Sequence, residues 1–172
     1  MLYENYEQVV ANVKKACERS GRNFQDITII AVSKTKPLSD VEELLSHGVM
    51  EFGENKVQEM VDKYEHVSKP VHWHLIGHLQ TNKVKYIVDK ACLIHSVDSV
   101  HLAKEIEKEA AKKGVVAKVL LEVNIAQEET KFGIREDEVY ALIDAIKDMP
   151  HVHVMGPVSY THLRAHETDQ YL

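Results

Sequence analysis

Ile27-Thr28-Ile29-Ile30-Ala31-Val32, running into Ser33-Lys34-Thr35-Lys36-Pro37, is the stretch on which the fold turns. A nearly continuous β-branched run suits a strand buried on both faces, and such strands belong to parallel sheets covered by helices. A doubly wound sheet usually sets a glycine-rich phosphate turn after its first strand. The turn from Ser33 to Pro37 holds no glycine. A (β/α)8 barrel instead carries its chemistry at the C-terminal ends of its strands. Outward from this stretch, the polar residues Lys34, Glu54, Asn55, His78, Ser96 and Asn124 fall at such ends. That pattern favours the barrel.

The apolar spacing alternates between helix and strand along the chain. Tyr6, Val9, Val10, Val13, Ala16 and Cys17 share one helical face, which Ser20-Gly21 ends. Ser39 and Glu42 stand at capping-box spacing beside Val41, Leu44 and Leu45. Further strands are expected at residues 49–52, 71–76, 92–95, 115–123 and 151–155. Asp98 or Ser99 caps the helix that ends at Gly114, and Glu136-Asp137-Glu138 opens the one that Pro150 closes. The strands recur at intervals of roughly 20–25 residues, the α/β signature. Six strands leave the barrel two short of eight. Residues 157–172, PVSYTHLRAHETDQYL, show neither periodicity nor strong turn signals. The expectation is a partial barrel over residues 1–156 and, over 157–172, a tail that is an artefact of a truncated reading frame.

Composition sets the class. The chain has 172 residues, 44% apolar and 28% charged, enough for one domain with a sizeable core and too apolar for disorder. No apolar run approaches the roughly 18–20 residues that span a bilayer. Twenty-one Lys and Arg against 27 Asp and Glu give a charge of −6, the wrong sign for a phosphate-backbone binder. Cys17 and Cys92 are too few for a disulfide framework, which favours a reducing compartment. Glu4 and Glu7 stand where a secretory signal needs basic and then apolar residues. A cytoplasmic globular protein with no nucleic-acid or membrane partner is expected.

Several residues invite chemistry. In an apolar cavity the Lys34 amine would lose solvation, and its pKa would fall until it became a nucleophile suited to a Schiff base. Lys36 would add charge repulsion. A solvated loop lysine is the other reading. Asn55, after Gly53, either bonds a ring substituent or caps the next helix. His72, His74 and His78 suggest a metal, but no acidic or cysteine partner stands near them in sequence, so none is expected. Glu122 and Asn124 share strand parity, bordering a pocket if that face points inward and forming a polar rim otherwise. Lys131 is either a mobile second amine or a solvated one.

AVSKTKP (31–37), FGENKVQE (52–59), WHLIGHLQTNK (73–83), LLEVN (120–124) and TKFGI (130–134) together resemble the pyridoxal phosphate homeostasis protein family. The likeness runs from about residue 5 to Gly156. It implies a single-domain (β/α)8 barrel like the N-terminal domain of alanine racemase, incomplete here with about six of eight strands. It implies pyridoxal 5′-phosphate (PLP) held as a Schiff base on Lys34. Lys36 and Lys131 are implied in cofactor handling, and Asn55 in lining the pocket; Asn124 joins them as a cofactor-binding candidate. The family carries no firm catalytic activity, so a PLP carrier serving PLP-dependent apoenzymes is implied, with a monomer expected. Family members continue with two more βα units bearing a Ser-rich turn, a phosphate turn and an arginine near the pyridine nitrogen. This sequence lacks them, and PLP affinity is expected to fall below that of a complete relative. The alternative is an amino-acid racemase of the alanine-racemase type. Racemisation needs a second acid/base, which in that family is a tyrosine from a second domain.

Overall fold

A computed structural model describes residues 1–125 and 132–159. The first helix, α1 (Leu2–Ser20), winds as its spacing predicts and stops at Gly21, whose φ of 67° lies in the left-handed region glycine tolerates. Strands and helices then alternate: β1 (Ala31–Val32), α2 (Leu38–Ser46), β2 (Glu51–Glu54), α3 (Val57–His66), β3 (His72–Leu75) and α4 (Val84–Ile87). They continue with β4 (Ala91–Val97), α5 (Val100–Lys113), β5 (Ala117–Glu122), α6 (Val139–Ile146) and β6 (Val152–Val158). The strands form one parallel sheet in the order β1-β2-β3-β4-β5-β6. The order never reverses, so the doubly wound alternative is out. This is an incomplete (β/α)8 barrel. Among the described residues, β1 pairs only with β2, and β6 only with β5.

One face of the sheet carries the core. Phe52, Trp73, Leu75, Ile94, Val119 and Leu121 alternate onto it and meet Val41, Met60, Ile87, Ala103, Ile106 and Leu142 from the helices. Fully burying each large apolar side chain contributes about 1.5–3 kcal/mol. The other face is half open: Ile30, Ile76, Leu93 and Leu120 are partly exposed, and Met155 is 53% exposed. No helix among the described residues is long and apolar enough to cross a membrane.

Three local expectations are corrected. The first strand is not residues 27–32 but Ala31–Val32, and Val32 is 51% exposed. β-branching marks the extended backbone, but only Ala31 and Val32 find partners, Phe52 and Gly53. The Ser39/Glu42 capping box does not form. Pro37, with φ −67°, is the N-cap, so α2 starts two residues earlier. Glu42 instead accepts from the backbone N–H and the hydroxyl of Ser68. The sixth strand runs past residue 156 through Val158, with Pro157 beside Leu121 and Val158 beside Glu122. Residues 160–172 of the expected tail lie outside the described residues. Ser99, rather than Asp98, caps α5, its hydroxyl accepting from the Leu102 N–H at 3.2 Å.

Candidate functional site

Lys34 follows β1 in a turn that is braced from beneath. The Ser33 N–H donates to Gly53 O at 3.0 Å, and the Ser33 hydroxyl donates to Glu54 Oε1 at 2.6 Å. From α3, Lys63 Nζ donates to Ser33 O and Glu54 Oε1 at 2.7 Å each, and to Glu59 Oε1 at 2.9 Å. The Lys63 and Glu54 side chains are 4% and 0% exposed, so this ion pair is buried. The Thr35 N–H donates to Glu59 Oε1 at 2.6 Å, and Lys36 N–H closes the turn onto Ser33 O at 3.0 Å. Thr35 has φ 62°, which a β-branched residue rarely adopts. Burial alone would raise the Glu59 carboxyl; hydrogen bonds from Lys63 and then Thr35 hold it below its ordinary range.

The Lys34 and Lys36 side chains are exposed and form no hydrogen bond or ion pair with the described residues. Of the two readings of Lys34, an amine in an apolar cavity or an exposed loop lysine, the described residues show the exposed amine, on a turn held by α3. β1 is the edge of the sheet, and among the described residues no strand lies beyond it.

Asn55 follows β2 directly and is half-buried. It does not cap α3, whose N-cap is Lys56 with no side-chain hydrogen bond. A Cβ at Gly77 would collide with the Asn55 backbone, so the end of β3 lies directly against it. Gly53 serves the open face: a Cβ there would press on Ile30 Cγ2 at 3.0 Å and Ile76 Cδ1 at 3.1 Å. At the end of β4, Asp98 comes within 3.9 Å of His78, which stacks on Phe132 at 4.0 Å between ring centroids. At the end of β5, Glu122 is 2% exposed and its Oε2 has no hydrogen-bond partner among the described residues. Burial first, and Asp98 second, push its pKa up to about 7. Asn124 follows half-buried, its N–H donating to Ile134 O at 2.8 Å. Gly133 (φ 113°) lies against the Asn124 N–H. Lys131 lies outside the described residues. Parallel pairing in sequence order thus sets Lys34, Asn55, His78, Glu122 and Asn124 along one edge of the sheet.

Residues 5–171 match the family model described as alanine racemase, N-terminal domain. A pyridoxal phosphate homeostasis protein of Aquifex aeolicus (strain VF5) is 42% identical over 154 residues, which cover 89% of this chain and 68% of that protein. The chain belongs to the pyridoxal phosphate homeostasis protein family. The family member of Escherichia coli (strain K12) is 35% identical over 159 residues, 90% of this chain and 68% of that one. Among solved structures, PipY of Synechococcus elongatus PCC7942 with PLP bound superposes with a TM-score of 0.79 at 28% identity, covering 99% of this chain and 76% of that one. An alanine racemase of Clostridium difficile 630 (TM-score 0.74, 15% identity, 94% of this chain and 40% of that one) shares the fold alone.

In this family member the brace under Lys34 was not foreseen. Its signal was present: Glu59 and Lys63 stand four apart on one helix, and Glu54 precedes that helix by one turn. The histidine trio also divides. His72 and His74 share the Glu51 carboxylate, at 2.6 and 2.7 Å, while His78 lies apart.

Proposed function

We propose that this chain binds PLP as a Schiff base on Lys34, and so takes part in PLP homeostasis in the cytoplasm, serving PLP-dependent apoenzymes. The observation that carries the reading is the free Lys34 amine on a braced turn at the C-terminal end of β1. Two things support it: the names borne by its relatives, and the PLP held by the PipY structure it superposes on. The described residues fit the group. Ile30 and Ile76 offer an apolar floor for a ring, and Gly53 and Gly77 let backbone approach closely. When bound, the cofactor supplies an aldehyde for an amine to attack. Lys34 provides that amine. Lys36 adds a second positive charge beside it, and Asn55 and Asn124 add hydrogen-bonding groups on the same edge. Lys131 joins them by resemblance.

Titration of the 172-residue chain with PLP tests this. Visible absorption should rise to one equivalent and vanish in Lys34→Ala, while Lys36→Ala and Lys131→Ala keep most of it. Reaction spread over many lysines and indifferent to Lys34→Ala would overturn the proposal. A racemase finds less support. Its likeness is to the fold alone, and the described tyrosines lie on helices α1, α3, α4 and α6. Loss of α-deuterium from L-alanine faster than free PLP gives would revive it.

A further inference from the structure

Away from Lys34, at the start of the strands, three of them bring together a second group of side chains. Glu51 opens β2, His74 sits in β3 and Cys92 in β4. One ligand atom from each lies within 4.8 Å of the other two. The nitrogen of His74 that meets the carboxylate is Nε2, 2.7 Å from Glu51 Oε2. Each of these two residues is braced from behind by another histidine. His72 Nδ1 donates to Glu51 Oε1 at 2.6 Å, and His95 Nε2 lies 2.9 Å from His74 Nδ1.

We propose that Glu51, His74 and Cys92 form a zinc-binding site, in which the ion replaces the proton shared between Glu51 Oε2 and His74 Nε2. Carboxylate, imidazole and thiolate are each ordinary zinc ligands, and three protein ligands leave a fourth position for water. Water can reach the group, since the Glu51 side chain is 28% exposed and that of His72 beside it 59%. A tetrahedral ion with bonds of about 2.0–2.3 Å sets its ligand atoms roughly 3.3–3.6 Å apart. The Glu51–His74 pair therefore opens slightly and Cys92 closes in.

The protons balance as follows. Without metal, His74 Nε2–H donates to Glu51, so Nδ1 accepts from His95 Nε2–H. With zinc on Nε2, the proton moves to His74 Nδ1 and donates to His95 Nε2, and His95 carries its own proton on Nδ1. That outer bond is the brace that ligating histidines need. The Cys92 thiol gives its proton to solvent. The sequence hid this site because Glu51 and Cys92 lie about 20 residues to either side of the histidines, and only parallel pairing joins them.

Cobalt(II) is the probe. The expected result is one tight equivalent with a near-ultraviolet thiolate charge-transfer band and visible tetrahedral bands, all displaced by zinc. Cys92→Ser should abolish the near-ultraviolet band, while Cys17→Ser and Lys34→Ala leave it unchanged. Glu51→Gln and His74→Gln should each weaken binding about tenfold or more, and His95→Gln by about tenfold. If His74→Gln fails to fold, the near-isosteric Cys92→Ser decides alone. A band that is absent, or that persists in Cys92→Ser, overturns the site. So does weak uptake of several equivalents across the surface histidines, which would mean an adventitious ion only.

Discussion

Lys63 is the residue that the Lys34 turn depends on. Among the described residues it alone pairs with the Glu54 carboxylate, which is fully buried, and it also holds the Ser33 carbonyl. Removing one partner of a buried pair leaves an uncompensated charge, at about 3–5 kcal/mol, whereas removing both together is often nearly neutral. Lys63→Met should therefore destabilise the chain by about 3–5 kcal/mol, and adding Glu54→Gln should recover much of the loss. Urea denaturation of the two variants measures both. No recovery in the double variant would mean that Lys63 acts through its carbonyl bond rather than through its charge. Thr35 shows the same dependence from the other side. Its left-handed φ of 62° persists because Glu59 takes its N–H.

At the scale of elements, the close approach of β2 and β3 is the sharpest constraint. Gly77→Ala would drive a methyl group into the Asn55 backbone, which cannot rotate away. A loss at the upper end of the about 1–3 kcal/mol typical of overpacking is expected, read as a lowered Tm, along with weaker PLP binding. The alternation of six strands and helices was legible in the sequence because the helices bury 3.6-residue stripes and short segments with apolar residues recur between them. The edges of elements were less so. Residues 27–30 look like strand because β-branching reports extended backbone, but pairing needs a neighbour. The Ser39/Glu42 spacing failed because Pro37 starts the helix first and Ser68, distant in sequence, takes the carboxylate. Of the candidate site, Lys34, Asn55 and Asn124 were visible from their places after strands. The Glu51, His74 and Cys92 group was not, being a product of register alone.

For the whole molecule, a buried carboxyl and a half-buried imidazole pull the pH dependence of stability in opposite directions. Burial, with Asp98 second, raises Glu122 from 4.5 to about 7. Between those values the folded chain holds more protons than the unfolded one, so this group's contribution falls as pH rises. Burial, with His74 second, lowers His95 from 6.5 to about 4. There the unfolded chain holds more protons, and stability falls as pH drops through that window. In metal-free protein the two slopes offset one another, and stability is expected to be nearly flat from about pH 5 to 6. Glu122→Gln should leave a curve that climbs steadily from about pH 4 to 6.5, with an advantage at pH 8 on the order of 1–2 kcal/mol, solvent at the open face screening part of the shift. Chemical denaturation across pH checks this. A Glu122→Gln profile parallel to the parent's would show that the carboxyl titrates normally.

The bonds from α3 to the turn after β1 also couple the two in time. With Lys63 gripping Ser33 O and Glu59 gripping the Thr35 N–H, the turn loses its anchor when α3 unwinds. Such linked segments open as one cooperative unit. In deuterated water the Thr35 amide, though it sits in an exposed loop, should exchange at the pace of the helix amides rather than within seconds. Lys63→Met should set it free while the core strands stay protected. Exchange of Thr35 at the rate of an unstructured peptide in the parent protein would show that turn and helix move independently. Lys34, the lysine proposed to hold PLP, is thus timed by a helix it does not belong to.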